Sequence, residues 1–137
     1  QVGLRGYTTV EQYEIGQQLG VRRISATRFA EIGASAAAAE ALAAASDGTD
    51  AIYLTLDMDA INPGEAPGTG WPEPGGLTGQ QALDFVRALA PHIAAMDIAE
   101  LNPLYDTPAH TTALLAARLM LNAITVRVQA GSATGAC

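Results

Sequence analysis

Residues 53–77, YLTLDMDAINPGEAPGTGWPEPGGL, place two carboxylates at the end of an apolar strand and follow them at once with a loop of proline and glycine. Residues 51–56 form a short apolar run with Ile52, Tyr53 and Thr55, types that favour a buried extended strand. Asp57 and Asp59 then stand at i and i+2, where the side chains of a strand share one face. Two like charges so close push one pKa up and oppose folding unless a cation lies between them. Carboxylate oxygens are hard ligands, so the ion implied is Mn²⁺, Mg²⁺ or a similar divalent cation and not one that prefers thiolates. A bare D-x-D serves equally as a helix cap or a solvated turn, so the pair is weighed with what surrounds it.

Residues 63–76 hold four prolines (Pro63, Pro67, Pro72, Pro74) and five glycines (Gly64, Gly68, Gly70, Gly75, Gly76). Such a loop forms neither helix nor strand, and its prolines reduce the entropy lost on ordering. Fixed loops at strand ends are where binding and catalysis usually sit. A linker between domains has a similar composition, but a linker rarely joins an acidic strand end directly to an amphipathic helix.

Outward from this loop, strands and helices alternate. A strand is expected over residues 1–4, then a helix over 9–19 opened by Thr8 or Thr9 and stopped by Gly20, then a strand over 21–25. Thr27 is expected to cap a long helix to Ala45, whose alanine-rich middle has high helix propensity and little bulk, and Asp47-Gly48 ends it. Beyond the loop, Thr78 caps a helix with Leu83, Phe85, Val86 and Leu89 on its buried side, ending near Pro91. Residues 93–99 return as a strand, and Thr111 or Thr112 opens a last helix that ends near Ile124. Residues 125–137 lose the apolar periodicity, so residues 1–124 are expected to carry the fold and the remainder to be a flexible tail. Four strand-and-helix units in series argue for an α/β fold, a parallel sheet with helices on its faces. In an open parallel sheet, ligands collect beyond the carboxyl ends of the strands. Asp57 and Asp59 close one strand and Glu100 the next, so the three are expected to face one crevice.

Composition narrows the class of partner. The chain has 137 residues, 49% hydrophobic and 15% charged, enough for one modest core. Its formal charge of −7 disfavours nucleic acid and anionic membranes and is compatible with a small cationic substrate. Cys137, the single cysteine, allows no intramolecular disulfide and points to a reducing, cytoplasmic setting. No uninterrupted apolar run reaches the roughly 20 residues of a membrane span, and no signal-peptide pattern opens the chain.

The segment LTLDMDAINPGEAPGTGWPEPGGL resembles the signature of the ureohydrolases, the arginase, agmatinase and formiminoglutamase family. That signature runs S-x-D-x-D, three residues, P, three residues, P-G and a glycine-rich end; Thr55 stands at the serine position, and Asp57, Asp59, Pro63, Pro67, Gly68 and Gly76 match. Residues 96–124, MDIAELNPLYDTPAHTTALLAARLMLNAI, look like the family's last strand, glutamate-bearing loop and following helix, and residues 1–33 resemble the segment preceding the signature. The resemblance implies a three-layer α/β/α arginase-like fold, here its C-terminal portion of about four strands. It also implies two Mn²⁺ ions in the intact enzyme, with Asp57 bridging both, Asp59 binding one, and Glu100 holding the guanidinium or amidine end of the substrate. The implied reaction is hydrolysis of a guanidino or amidine C–N bond by a metal-activated hydroxide, releasing an amine, with urea as co-product from a guanidino compound. APGTG followed by PEPGGL resembles the agmatinase branch most, with arginase, guanidino-acid hydrolase and formiminoglutamase specificities open. The family's tendency to form trimers or hexamers implies a homo-oligomer when intact.

The chain also departs from the pattern. Family members bind their ions with further histidine and aspartate ligands, including a D-x-H-x-D segment that is absent here. His92 and His110 lack ligand spacing and read as structural or surface residues. Asn62 stands where Asp is usual and can keep a turn hydrogen bond, and Trp71 stands where Thr is common and either narrows the pocket or packs the loop. Arg5 either reaches the site or a neighbouring subunit, or forms a surface salt bridge. With no Met at position 1 and a match that starts in mid-pattern, the expectation is the C-terminal half of a longer enzyme; the alternative is a non-catalytic remnant with an open sheet edge.

Overall fold

Capping chemistry sets where the helices begin. In the computed structural model, which describes residues 1–134, strand β1 (Val2–Leu4) leads to helix α1 (Val10–Gln18). Thr9 opens α1 with a reciprocal capping box: its hydroxyl accepts from the Gln12 N–H, and the Gln12 side chain accepts from the Thr9 N–H. Strand β2 (Ile24–Ser25) runs straight into helix α2 (Ala26–Ala45). The cap is Ser25, whose Oγ accepts from the Arg28 N–H at 3.1 Å, and not Thr27, which lies inside the first turn. Gly33, at φ 79° and ψ 165°, breaks the expected long helix into two segments. Strand β3 (Tyr53–Asp57) is followed by a 3-10 turn (Met58–Ala60), the proline-glycine loop, and helix α3 (Gly79–Leu89), opened by a second capping box from Thr78 to Gln81. A 3-10 turn (Ala90–His92), strand β4 (Ala95–Ala99) and helix α4 (Thr111–Thr134) complete the described chain.

Helix α4 corrects the expected end near Ile124, since residues 125–134 continue it; residues 135–137, with Cys137, lie outside the described residues. Its polar residues are accommodated because the Thr125 and Ser132 hydroxyls donate to the carbonyls four residues back, Leu121 O at 2.8 Å and Val128 O at 3.0 Å. By length and composition Thr111–Ser132 is long and apolar enough to cross a membrane, but Thr112, Ala116, Leu119 and Ala123 along one side are buried in the core.

The strands are parallel in pairs. β1 pairs with β2, and β3 with β4 through five residues in register, from Tyr53 opposite Ala95 to Asp57 opposite Ala99. A single sheet of four hydrogen-bonded strands is therefore not formed: among the described residues no strand joins β1 to β3, and a cleft of about 1320 Å³ separates them, lined by Val2, Leu4 and Ile24 on one side and Leu54 and Leu56 on the other. Leu54, Leu56, Met96 and Ile98 turn one face of β3–β4 toward the core, where α3 lies between α2 and α4. The alanines of α2 let it approach closely, and Phe29 meets Phe85 of α3 edge-to-face at 5.4 Å. The opposite face of β3–β4 is exposed and polar, with the Tyr53 hydroxyl donating to Asp97 Oδ2. That bond holds the Asp97 carboxyl below its ordinary pKa, with help from Thr55, and raises that of Tyr53.

Candidate functional site

The two aspartates meet by a route other than strand alternation. β3 ends at Asp57, and Asp59 belongs to the Met58–Ala60 turn, so the i, i+2 rule does not apply to it. Instead Asp57 Oδ1 accepts from the Asp59 N–H at 2.8 Å, capping the turn and drawing its first carboxylate back toward the strand end. Met58 between them is fully buried and anchors the turn in the core. Asp59 Oδ1 accepts from the Trp71 N–H at 3.4 Å, which leaves Oδ2 for another partner. Lost hydration raises the pKa of Asp57 and the charge of Asp59 adds to the rise, against the opposing Asp59 N–H and Arg5. Asp57 and Asp59 thus stand two residues apart at the strand end, and hard oxygen donors so placed fit a divalent cation.

Bonds within the loop and to its neighbours hold the segment after the turn. Its two limbs join where Leu77 N–H donates to Ala60 O at 2.9 Å and Asn62 N–H donates to Leu77 O at 2.8 Å. Gly76 belongs at this crossing, because a Cβ there would lie 2.6–2.7 Å from the backbone of Ala60, Ile61 and Asn62. Asn62 does keep the turn bond expected of it, its Oδ1 accepting from Gly64 N–H at 2.9 Å. The middle of the loop is stitched to the segment after β4: Thr69 bridges Leu101, Asn102 N–H donates to Gly68 O, and Gly68 N–H donates to the buried Thr112 Oγ1, the last two at 2.8 Å. A side chain at Gly68 would collide with Asp106 and Thr112. Glu65 reaches the start of α3, where Oε2 accepts from Gly79 N–H at 2.8 Å, a carboxylate at the positive end of a helix.

Asp106 performs the same service for α4. It accepts from the N–H groups of Thr107, Thr112 and Ala113, and these bonds, with the Thr112 hydroxyl, overcome its desolvation and hold its pKa down at about 2. Neither Glu65 nor Asp106 was singled out from the sequence, although an acidic residue ahead of a run opened by Thr111-Thr112 is a helix-start signal.

Glu100 follows β4 directly, and because Asp57 is paired with Ala99 it stands at the same carboxyl edge as the two aspartates. Its φ of 62° is left-handed, a conformation rare outside glycine, asparagine and aspartate and concentrated at functional sites. Among the described residues no three of the His, Cys, Asp and Glu side chains gather closely enough to hold a metal, so Glu100 is at the same edge without joining a ligand cluster. His92 and His110 are both exposed, the latter at φ 55° before α4. Trp71 is 70% exposed along the cleft, so its ring does not pack the loop. Arg5, left open between two readings, makes no salt bridge among the described residues and instead binds backbone carbonyls of the loop.

Residues 1–125 match the arginase family. The chain is 49% identical over 77 residues to an agmatinase of Sodalis glossinidius, covering 56% of this chain and 25% of that protein. It is 35% identical over 122 residues to a guanidinopropionase of Pseudomonas aeruginosa, covering 88% of this chain and 37% of the other. Its fold superposes on a hypothetical agmatinase from Burkholderia thailandensis with a TM-score of 0.81 at 32% identity, covering 97% of this chain and 40% of that one. The chain therefore spans two fifths or less of the length of these relatives and has the arginase-like α/β fold as a partial domain. With its signature aspartates, strand-end glutamate and matched length taken together, the chain belongs to the arginase family.

Proposed function

We propose that the chain is part of a ureohydrolase of agmatinase-like specificity, an enzyme that cleaves a guanidino C–N bond and releases urea and an amine. Asp57 and Asp59 would be ligands to Mn²⁺, and Glu100 would pair with the cationic end of the substrate by two parallel charge-assisted hydrogen bonds. The observation that carries this reading is the shared edge: Asp57 ends one strand with Asp59 in the turn that follows, and Glu100, in left-handed backbone, directly follows the neighbouring strand. Bound Mn²⁺ would supply a water nucleophile at neutral pH. The chain's own residues then have two tasks: the aspartates fix where that nucleophile stands, and Glu100 orients the planar reacting carbon toward it.

Among the described residues no three candidate ligands cluster, so turnover is proposed for a full-length enzyme and weak Mn²⁺ binding without turnover for this chain alone. A cytoplasmic setting and a homo-oligomeric state are proposed for that enzyme. The agmatinase assignment draws on the 49% identity to the Sodalis protein, while the longer match to guanidinopropionase keeps a carboxylate-tailed guanidino substrate as the second reading.

Paramagnetic broadening of amide NMR signals by Mn²⁺ tests the site on the chain itself and registers weak binding. Signals of Asp57, Met58, Asp59 and Ala99 should broaden first, and Asp57→Asn should abolish that selectivity. Broadening spread evenly over the acidic surface, or unchanged in the variant, would refute the proposed metal site.

A further inference from the structure

We propose that Arg5 is a positioning residue for the aspartate pair, its guanidinium gathering the backbone carbonyls of both limbs of the loop and so fixing the turn that bears Asp59. The inference rests on the proposed metal site for its functional meaning, but its geometry stands by itself. Arg5 follows β1 directly, across the cleft from β3. Its Nη2 donates to Asp59 O at 2.6 Å, to Ile61 O at 3.2 Å and to Glu73 O at 2.5 Å, and its Nε donates to Glu73 O and to Pro74 O, both at 3.0 Å.

Two of these carbonyls belong to the outgoing limb and two to the returning limb, on the two sides of the Gly76 crossing. Arg5 ties the β1–β2 pair to this loop, and it grips the turn at the Asp59 carbonyl while the Asp57 carboxylate grips the same residue by its N–H. Held at both ends, the Asp59 backbone fixes the direction in which its side chain leaves the turn, and Oδ1 accepts from the Trp71 N–H of the returning limb. A flat guanidinium with donors in a fixed fork suits four converging carbonyls, whereas a lysine ammonium is a point charge with three donors on a flexible stem. Gly6, next in the chain, lets Glu73 lie close, since a Cβ there would stand 3.3 Å from Glu73 Cδ.

The test compares the whole chain with Arg5→Lys and Arg5→Met by amide hydrogen exchange and by Mn²⁺ broadening. In Arg5→Met the Asn62 and Leu77 amides, which join the two limbs, should exchange roughly tenfold faster or more, as expected for loss of even one charge-assisted bond. The β3–β4 ladder amides should stay within about twofold of the unsubstituted chain. Arg5→Lys should fall between the two in exchange, and both variants should lose selective broadening at Asp57 and Asp59. Unchanged exchange at Asn62 and Leu77 in Arg5→Met would overturn the proposal, and so would equal loss of protection throughout the chain, which marks a merely structural residue. Selective broadening retained at full strength in both variants would also overturn it. Absence of selective broadening in the unsubstituted chain would instead sink the metal reading, and the exchange result would still decide whether Arg5 holds the loop.

Discussion

Replacing Gly76 by alanine tests whether the two limbs of the signature loop meet as described. The added methyl would stand 2.6 Å from the Ile61 carbonyl carbon and 2.7 Å from both Ala60 O and Asn62 N, and all three are backbone atoms with no rotamer to escape into. The limbs must separate, which stretches the Leu77 N–H to Ala60 O and Asn62 N–H to Leu77 O bonds from 2.9 and 2.8 Å. Overpacking of a filled site costs about 1–3 kcal/mol, and each weakened bond adds about 0.5–1.5 kcal/mol. A loss of about 3 kcal/mol is expected, a large part of the roughly 5–15 kcal/mol that holds a typical domain. For a chain of this length that corresponds to a fall in Tm of about 10 °C. The control lies in the same loop: a Cβ at Gly70 meets nothing within 4 Å, so Gly70→Ala should leave Tm within about 2 °C of the unsubstituted chain. Thermal unfolding followed by far-ultraviolet circular dichroism reads both, since helices α1 to α4 carry that signal. Equal Tm values for the two variants would refute the crossing.

The Asp106 cap has a pH signature: its folded pKa, about 2, lies below the ordinary 3.8, so the stability it adds is complete above about pH 4 and is lost as the pH falls toward 2. Asp106→Asn should therefore be less stable than the unsubstituted chain at pH 6, with most of that gap closed near pH 2, in denaturant titrations; a gap as wide at pH 2 as at pH 6 would count against the cap. Thr112→Val removes the acceptor of the Gly68 N–H within a fully buried site and should cost about 1–3 kcal/mol by denaturant unfolding. A cost below about 0.5 kcal/mol would mean that Gly68 does not depend on it.

What could be read from the residues followed how local its cause is. The boxes at Thr9 and Thr78 each involve a partner three residues away, and both helices start where expected. Thr27 lost to Ser25 because both residues carry a hydroxyl and nothing local distinguishes the last strand residue from the first turn. The run-on of α4 was hidden because threonine and serine read as a loss of periodicity, whereas in place their hydroxyls bond back within the helix. Asp57, Asp59 and Glu100 were visible as residue types at strand ends, and the parallel register sets Glu100 at the edge that Asp57 ends. The turn that joins the aspartates was not visible, because a carboxylate accepting its neighbour's N–H competes with strand continuation at equal sequence cost. Arg5 was beyond local reading altogether, for its carbonyl partners lie 54 to 69 residues away.

These long-range bonds give the candidate site an uneven character. The loop side is fixed before any ion arrives: Arg5 grips it from β1, Glu65 ties it to α3, and Thr112 ties it to α4. The cleft side offers Leu54 and Leu56 of β3 opposite Val2 and Leu4 of β1, with no strand among the described residues between them. Preorganisation lowers the entropy paid at binding, so at the proposed metal site the two aspartates would act as a rigid pair of donors at low cost. Two donors would leave a divalent ion that takes six or more oxygen ligands mostly in water, and affinity at the proposed site would depend on what completes the shell. Adding donors across the cleft would therefore raise affinity without requiring the loop to move.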